Sequence, residues 1–160
     1  MPKHSRLRSG CDDRMAIEQA RPGTYVLLLS SRSTDLIQIG RQGTLQLQSG
    51  FYVYVGSALG PGGVRARLAH HLKLSRRPHW HIDYLRAHTR VDYIWYRLDT
   101  RRLEHVWAER ISLAEGASVP LVGLGSTDCR CASHLFFFRQ RPSSARFRQV
   151  LGTGIRTVSC

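Results

Sequence analysis

The chain has 160 residues, with 24 Lys+Arg against 11 Asp+Glu and a formal net charge of +13. A hydrophobic share of 42% and a charged share of 22% describe one globular domain and exclude a disordered basic tail. No apolar run approaches the ~20 residues of a bilayer span, and none follows the charged N-terminus. These features predict a cytoplasmic protein with no secretory signal and no membrane partner.

In chain order, residues 1–21 are polar and aperiodic apart from a short helix near Met15 to Ala20, and read as a poorly ordered leader. Pro22-Gly23 then opens a single domain expected over residues 22–152. Tyr25 to Leu29 is a compact apolar run of strand length, and Leu36 to Ile39 is a second, ended by Gly40. Leu45-Gln46-Leu47-Gln48 alternates with period two, and Phe51 to Val55 is aromatic and β-branched, so both read as strands.

After the loop Gly60-Pro61-Gly62-Gly63, residues Val64, Leu68 and Leu72 recur at four-residue spacing and predict a helix. Arg67 and His71, also four apart, share another of its faces, although His70 competes for the place of His71. A short helix over Ile82 to His88 precedes a buried strand, Val91 to Leu98. On a helical wheel, Leu103, Val106, Trp107 and Ile111 form an apolar arc with Glu104 at its edge and Glu109 well outside. Glu104 is therefore expected to face the interior and Glu109 the solvent. A Gly-rich stretch, the strand Leu135 to Phe138, a helix over Ser144 to Leu151 and a flexible tail at 153–160 complete the reading. The fold class is α+β: a small antiparallel sheet, with a three-stranded core and an inserted strand pair, flanked by helices.

Charge points to the partner. Only Lys3 and Lys73 are lysines, so the basic surplus is nearly all arginine, whose planar fork suits phosphate oxygens. Between Gly63 and Arg90, Arg65, Arg67, Lys73, Arg76, Arg77, Arg86 and Arg90 face Asp83 alone, and no acid follows Arg130. A GC-rich genome would explain arginine over lysine but not the shortage of acids. Nucleic acid is the expected partner: DNA, with RNA left open.

Several groups converge if the strands at Tyr25 and Tyr54 are neighbours. The loop Gly56-Ser57-Ala58 leads to the helix bearing Arg67 and His71, and Glu104 arrives from another helix. A carboxylate in a basic surround suits a hard divalent ion such as Mg²⁺ or Mn²⁺. Arginine suits a developing negative phosphate, and tyrosine or histidine suits proton transfer. His79, His81 and Asp83 form a second candidate group for metal or substrate, and Trp80 and Tyr84 beside them read as base-stacking or core residues. Cys129, Cys131 and His134 could supply three ligands to zinc. Their spacing is not the Cys-x2-Cys of common zinc modules, and no second pair exists, so a tight turn with buried thiols is the preferred reading.

Gly23-Thr24-Tyr25, then Tyr54-Val55-Gly56-Ser57-Ala58, then Arg67 and His71, resemble the GIY-YIG nuclease superfamily. Tyr52 to Ala58, His79-Trp80-His81-Ile82-Asp83-Tyr84-Leu85 and the segment from Asp128 to Leu135 resemble its Uri-type endonuclease branch, a domain also fused to endonuclease III-like repair enzymes. Thr24 and Val55 stand where the family name has isoleucine, and the gap between the motifs holds the extra strand pair. The resemblance implies a DNA endonuclease that uses one divalent ion in repair or in processing branched or damaged DNA. It implies catalytic roles for Tyr25, Tyr54, Arg67 and His71, proton transfer being open between Tyr25 and His71, and a metal-ligand role for Glu104. Ser57, Arg65, Lys73, Arg76 and Arg77 would then contact nucleic acid, and a repair protein would be a further partner. The alternative is a binding module that keeps the nuclease fold without turnover.

Overall fold

The computed structural model describes residues 20–127 and 129–160. The expected leader and its short helix lie outside them, apart from Ala20 and Arg21. β1 (Gly23–Ser31) is buried along nearly all its length because it is the central strand of a five-stranded sheet. The order is β6-β4-β1-β5-β7, with β4 (Gly50–Ala58), β5 (Arg90–Leu98), β6 (Leu135–Phe138) and β7 (Arg156–Ser159). Every neighbouring pair is antiparallel. A separate hairpin pairs β2 (Asp35–Ile39) with β3 (Gly43–Leu47).

Helices cover both sheet faces, which is why β1 and β4 read as apolar runs and show no alternation. The period-two geometry of β1 sends Tyr25, Leu27 and Leu29 to one face and Val26 and Leu28 to the other. The first face packs on α1 (Gly63–Leu72), α2 (His81–Arg86) and the β2–β3 hairpin through Val64, Leu68, Ile82, Leu85, Ile39 and Leu45. The second packs on α3 (Glu104–Ser112) and α4 (Ser144–Leu151) through Trp107, Ile111, Phe147 and Leu151. Trp95 stacks on Phe147 with ring centroids 5.1 Å apart. Among the described residues, no helix is long and apolar enough to cross a membrane.

The α+β architecture and the antiparallel sheet agree with the sequence reading, with two differences. The three central strands β4, β1 and β5 are extended by β6 on one side and β7 on the other. The segment 153–160 is also not a loose tail. Arg156 to Ser159 pairs with Tyr93 to Tyr96, Val158 is buried, and the Cys160 N–H donates to the Asp92 carbonyl at 2.9 Å. β7 satisfies an edge of β5 that would otherwise be left unpaired. Val158→Pro should lower the unfolding free energy by about 2 kcal/mol, from lost apolar burial and strand hydrogen bonding. Urea denaturation checks this; an unchanged midpoint would mean that the pairing contributes nothing.

Candidate active site

Where the first face of β1 meets α1, the Tyr25 hydroxyl lies 2.7 Å from Nε2 of His71, with both residues buried. Register sets one end of this contact, because Tyr25 sits opposite Gly56 of β4 and Tyr96 of β5. A Cβ at position 56 would stand 2.4 Å from the Tyr25 hydroxyl, so the strand neighbour must be glycine for the ring to lie here. Helix phase sets the other end. His71 turns inward while His70, one residue earlier, turns to Asp83. The end of α1 is held by buried Arg86, whose Nε donates to the His71 carbonyl at 2.7 Å, satisfying one of the acceptors a helix leaves open at its C-terminus.

Burial pushes the Tyr25 phenol well above its usual range, and neighbouring Tyr54 adds to the effect. Burial also pushes His71 down to about 3, outweighing the upward pull of Asp83, whose Oδ1 is 3.9 Å from Nδ1. Both groups are therefore neutral near pH 7. Nδ1 of His71 has no hydrogen-bond partner among the described residues. For Asp83, burial acts to raise the carboxyl. The backbone N–H groups of His79 at 2.8 Å and Trp80 at 3.0 Å, with Nε2 of His70 at 3.0 Å, overcome this and hold it below its ordinary value.

Tyr25 also borders a cavity of about 520 Å³ lined by Tyr54, Ser57, Arg67 and Glu104. The Tyr25 and Tyr54 ring centroids are 6.5 Å apart. Arg67 lays its guanidinium over the Trp80 ring, 4.2 Å from the centroid, and this cation–π contact restrains a long side chain at the cavity wall. Glu104 is buried at the first turn of α3, where a carboxylate complements the helix dipole. Its Oε1 lies 3.5 Å from Nε of Arg102 and 3.8 Å from Nε2 of His105. Glu109, on the far side of the helix, is exposed. An acid on the wall of an open basic cavity fits a hard divalent ion that keeps most of its waters.

The other residues singled out in the sequence fall into three groups. His79 and His81 line the same cavity, and the Gly125 N–H donates to Nδ1 of His81 at 3.1 Å. Asp83 faces His70 and His71, so His79, His81 and Asp83 do not converge as a ligand set among the described residues. Arg65, Lys73, Arg76 and Arg77 are exposed and stand outside the cavity lining. Cys129, Cys131 and His134 do converge, and His105 of α3 joins them, with ligand atoms all within 4.8 Å of one another. His105 has no signal in the spacing of that turn because it comes from another element. Arg102 also entered the site without a motif to mark it, whereas Trp80, read as a base-stacking or core residue within its motif, lines the cavity under Arg67.

The neutral burial of His71 has a pH signature. Its site in the unfolded chain takes up a proton near 6.5, and in the folded chain only near 3. Its contribution to stability is whole above about pH 6.5 and is lost progressively as pH falls towards 3. The advantage of wild type over His71→Gln in urea denaturation should shrink by about 2–3 kcal/mol between pH 7 and pH 4.5. A constant advantage over that range contradicts the buried neutral imidazole.

Over residues 24–155 the chain matches the family described as Domain of unknown function DUF123. No curated protein and no solved structure matches it. Since the family match runs through β1, both cavity walls and the sheet as far as the start of β7, the chain belongs to the DUF123 family.

Proposed function

We propose that this protein is a metal-dependent endonuclease of the GIY-YIG type that hydrolyses phosphodiester bonds in DNA. The observation that carries the reading is the meeting of Tyr25, Tyr54, Arg67 and Glu104 around one cavity, with His71 bonded to Tyr25 behind it. The ordered motifs single out Tyr25, Tyr54, Arg67 and His71, and the helical wheel singles out Glu104. The central antiparallel strands β4, β1 and β5 with helices on both faces are compatible with that superfamily's fold. Repair or processing of branched or damaged DNA is the setting the resemblance favours.

Glu104 would hold a Mg²⁺ or Mn²⁺ ion, which supplies Lewis-acid stabilisation of charge on phosphate oxygens. The chain's own groups supply the rest. With Tyr25 and His71 both neutral, the phenol O–H donates to Nε2, leaving the ring proton on Nδ1 towards Asp83. As the attacking water gives its proton to the phenol oxygen, the phenol passes its own proton to His71. The Asp83 carboxylate then faces the imidazolium that forms. A phenol held well above its usual range cannot act as a standing phenolate, and His71, which burial pushes down to about 3, takes the relayed proton only as the Asp83 carboxylate offsets the charge on its ring.

Arg67, restrained on Trp80, stabilises the negative charge that develops on the transferring phosphate. Tyr54 and Ser57 line the approach and orient water and phosphate. The exposed Arg65, Lys73, Arg76 and Arg77, on α1 and the segment after it, hold the phosphate backbone, which makes affinity salt-dependent.

The test is a panel of labelled duplex, nicked, branched and single-stranded DNA with Mg²⁺, Mn²⁺ or EDTA. Cleavage should require the divalent ion and fall at least about 100-fold in Arg67→Ala and in Glu104→Gln. Binding by Glu104→Gln should be retained. Salt-sensitive binding without cleavage of any substrate would overturn the nuclease reading and leave a binding module.

A further inference from the structure

We propose a structural zinc site, separate from the cation of the proposed nuclease reaction, built from His105, Cys129, Cys131 and His134. It joins the first turn of α3 to the turn that precedes β6. Cys129 Sγ lies 3.5 Å from Nε2 of His134, and Cys131 Sγ lies 3.5 Å from Nδ1 of His105. Tetrahedral zinc with Zn–S of about 2.3 Å and Zn–N of about 2.0 Å has S···N edges of about 3.5 Å. Two edges of that tetrahedron are thus already in place, and all four donor atoms lie within 4.8 Å of one another. Both cysteines are free thiols.

The donor chemistry selects the ion. Two thiolates and two imidazoles are a soft set that prefers zinc to the hard divalent ions suited to Glu104. Four protein ligands close the coordination sphere, which marks a structural site and not a catalytic one. The loop geometry supports the pair from below. The His134 N–H donates to the Leu124 carbonyl at 2.8 Å, and the Val55 N–H of β4 donates to the His134 carbonyl at 2.9 Å, so His134 is anchored to the sheet.

The site has a consequence for its neighbour. His105 directs Nδ1 at Cys131 and its other nitrogen, Nε2, at Glu104 Oε1, 3.8 Å away. A ligand histidine facing a carboxylate in this way is the usual outer-shell arrangement around zinc. His134 also borders the cavity. Zinc would therefore tie the first turn of α3, and with it Glu104, to the turn that precedes β6.

The protein purified without chelator is assayed for metal by mass spectrometry, then exchanged with Co²⁺. About one zinc per chain is expected, together with the visible d–d bands of a tetrahedral cobalt–thiolate site. Cys131→Ser and His105→Ala should each lower zinc retention at least about tenfold and reduce the melting temperature. Arg32→Gln, exposed in the segment after β1, should change neither. Should the ligand variants prove insoluble, the cobalt spectrum of the wild type decides. A folded, metal-free protein that takes up no Zn²⁺ from an added equivalent, or a Cys129–Cys131 disulfide in its place, overturns the proposal. These readouts need no cleavage assay, so the zinc site stands or falls apart from the nuclease reading.

Discussion

The hydrogen bond from Tyr25 to His71 fixes how the central strand and α1 approach one another, and most of the site's geometry follows from that contact. It is made where both side chains are removed from water, so losing either partner would leave a buried polar group unsatisfied, a cost of about 1–3 kcal/mol. The contact therefore imposes requirements on its surroundings. Residue 56 must lack a side chain, the end of α1 must be held by Arg86, and Asp83 must stand behind the imidazole. Three elements are thereby tied to one point, and the cavity opens beside it.

That arrangement sorts the charge of the molecule. A chain so rich in arginine repels itself, and many of its arginines lie on the surface, where water and salt screen them. Arg67 and Arg86 are treated differently. Arg86 is buried and spends its donors on backbone carbonyls, whereas Arg67 rests on Trp80 at the cavity wall. The scarce acids follow the same division. Asp83 serves the histidines of α1, and Glu104 lies at the wall where phosphate and a cation would meet.

Much of this was legible in the sequence because local period carries it. The apolar runs of β1 and β4, the four-residue phase of Arg67 and His71 and the wheel position of Glu104 against Glu109 each depend on only a few neighbouring residues. The ordered motifs added which of those residues should meet. What the sequence could not carry was pairing across distance. β7 is four residues long with Val158 as its one buried side chain, too little to show a period, and only the free edge of β5 makes it a strand. His105 joins the Cys129–Cys131–His134 turn from a different helix, so no ligand spacing could announce it. The grouping of His79 and His81 with Asp83 failed for a related reason. The Asp83 carboxylate is occupied by the backbone at the start of its own helix and by the histidines of α1.

The central claim is that water, activated in this cavity, is the nucleophile at a DNA phosphodiester. The most direct measurement is mass spectrometry of labelled oligonucleotides incubated with the protein and Mg²⁺ in H₂¹⁸O. The account predicts shortened products whose new terminal phosphate carries one ¹⁸O, formed by wild type and not by Tyr25→Phe. Intact oligonucleotides, or cleaved products without ¹⁸O or equally abundant with Tyr25→Phe, would contradict it.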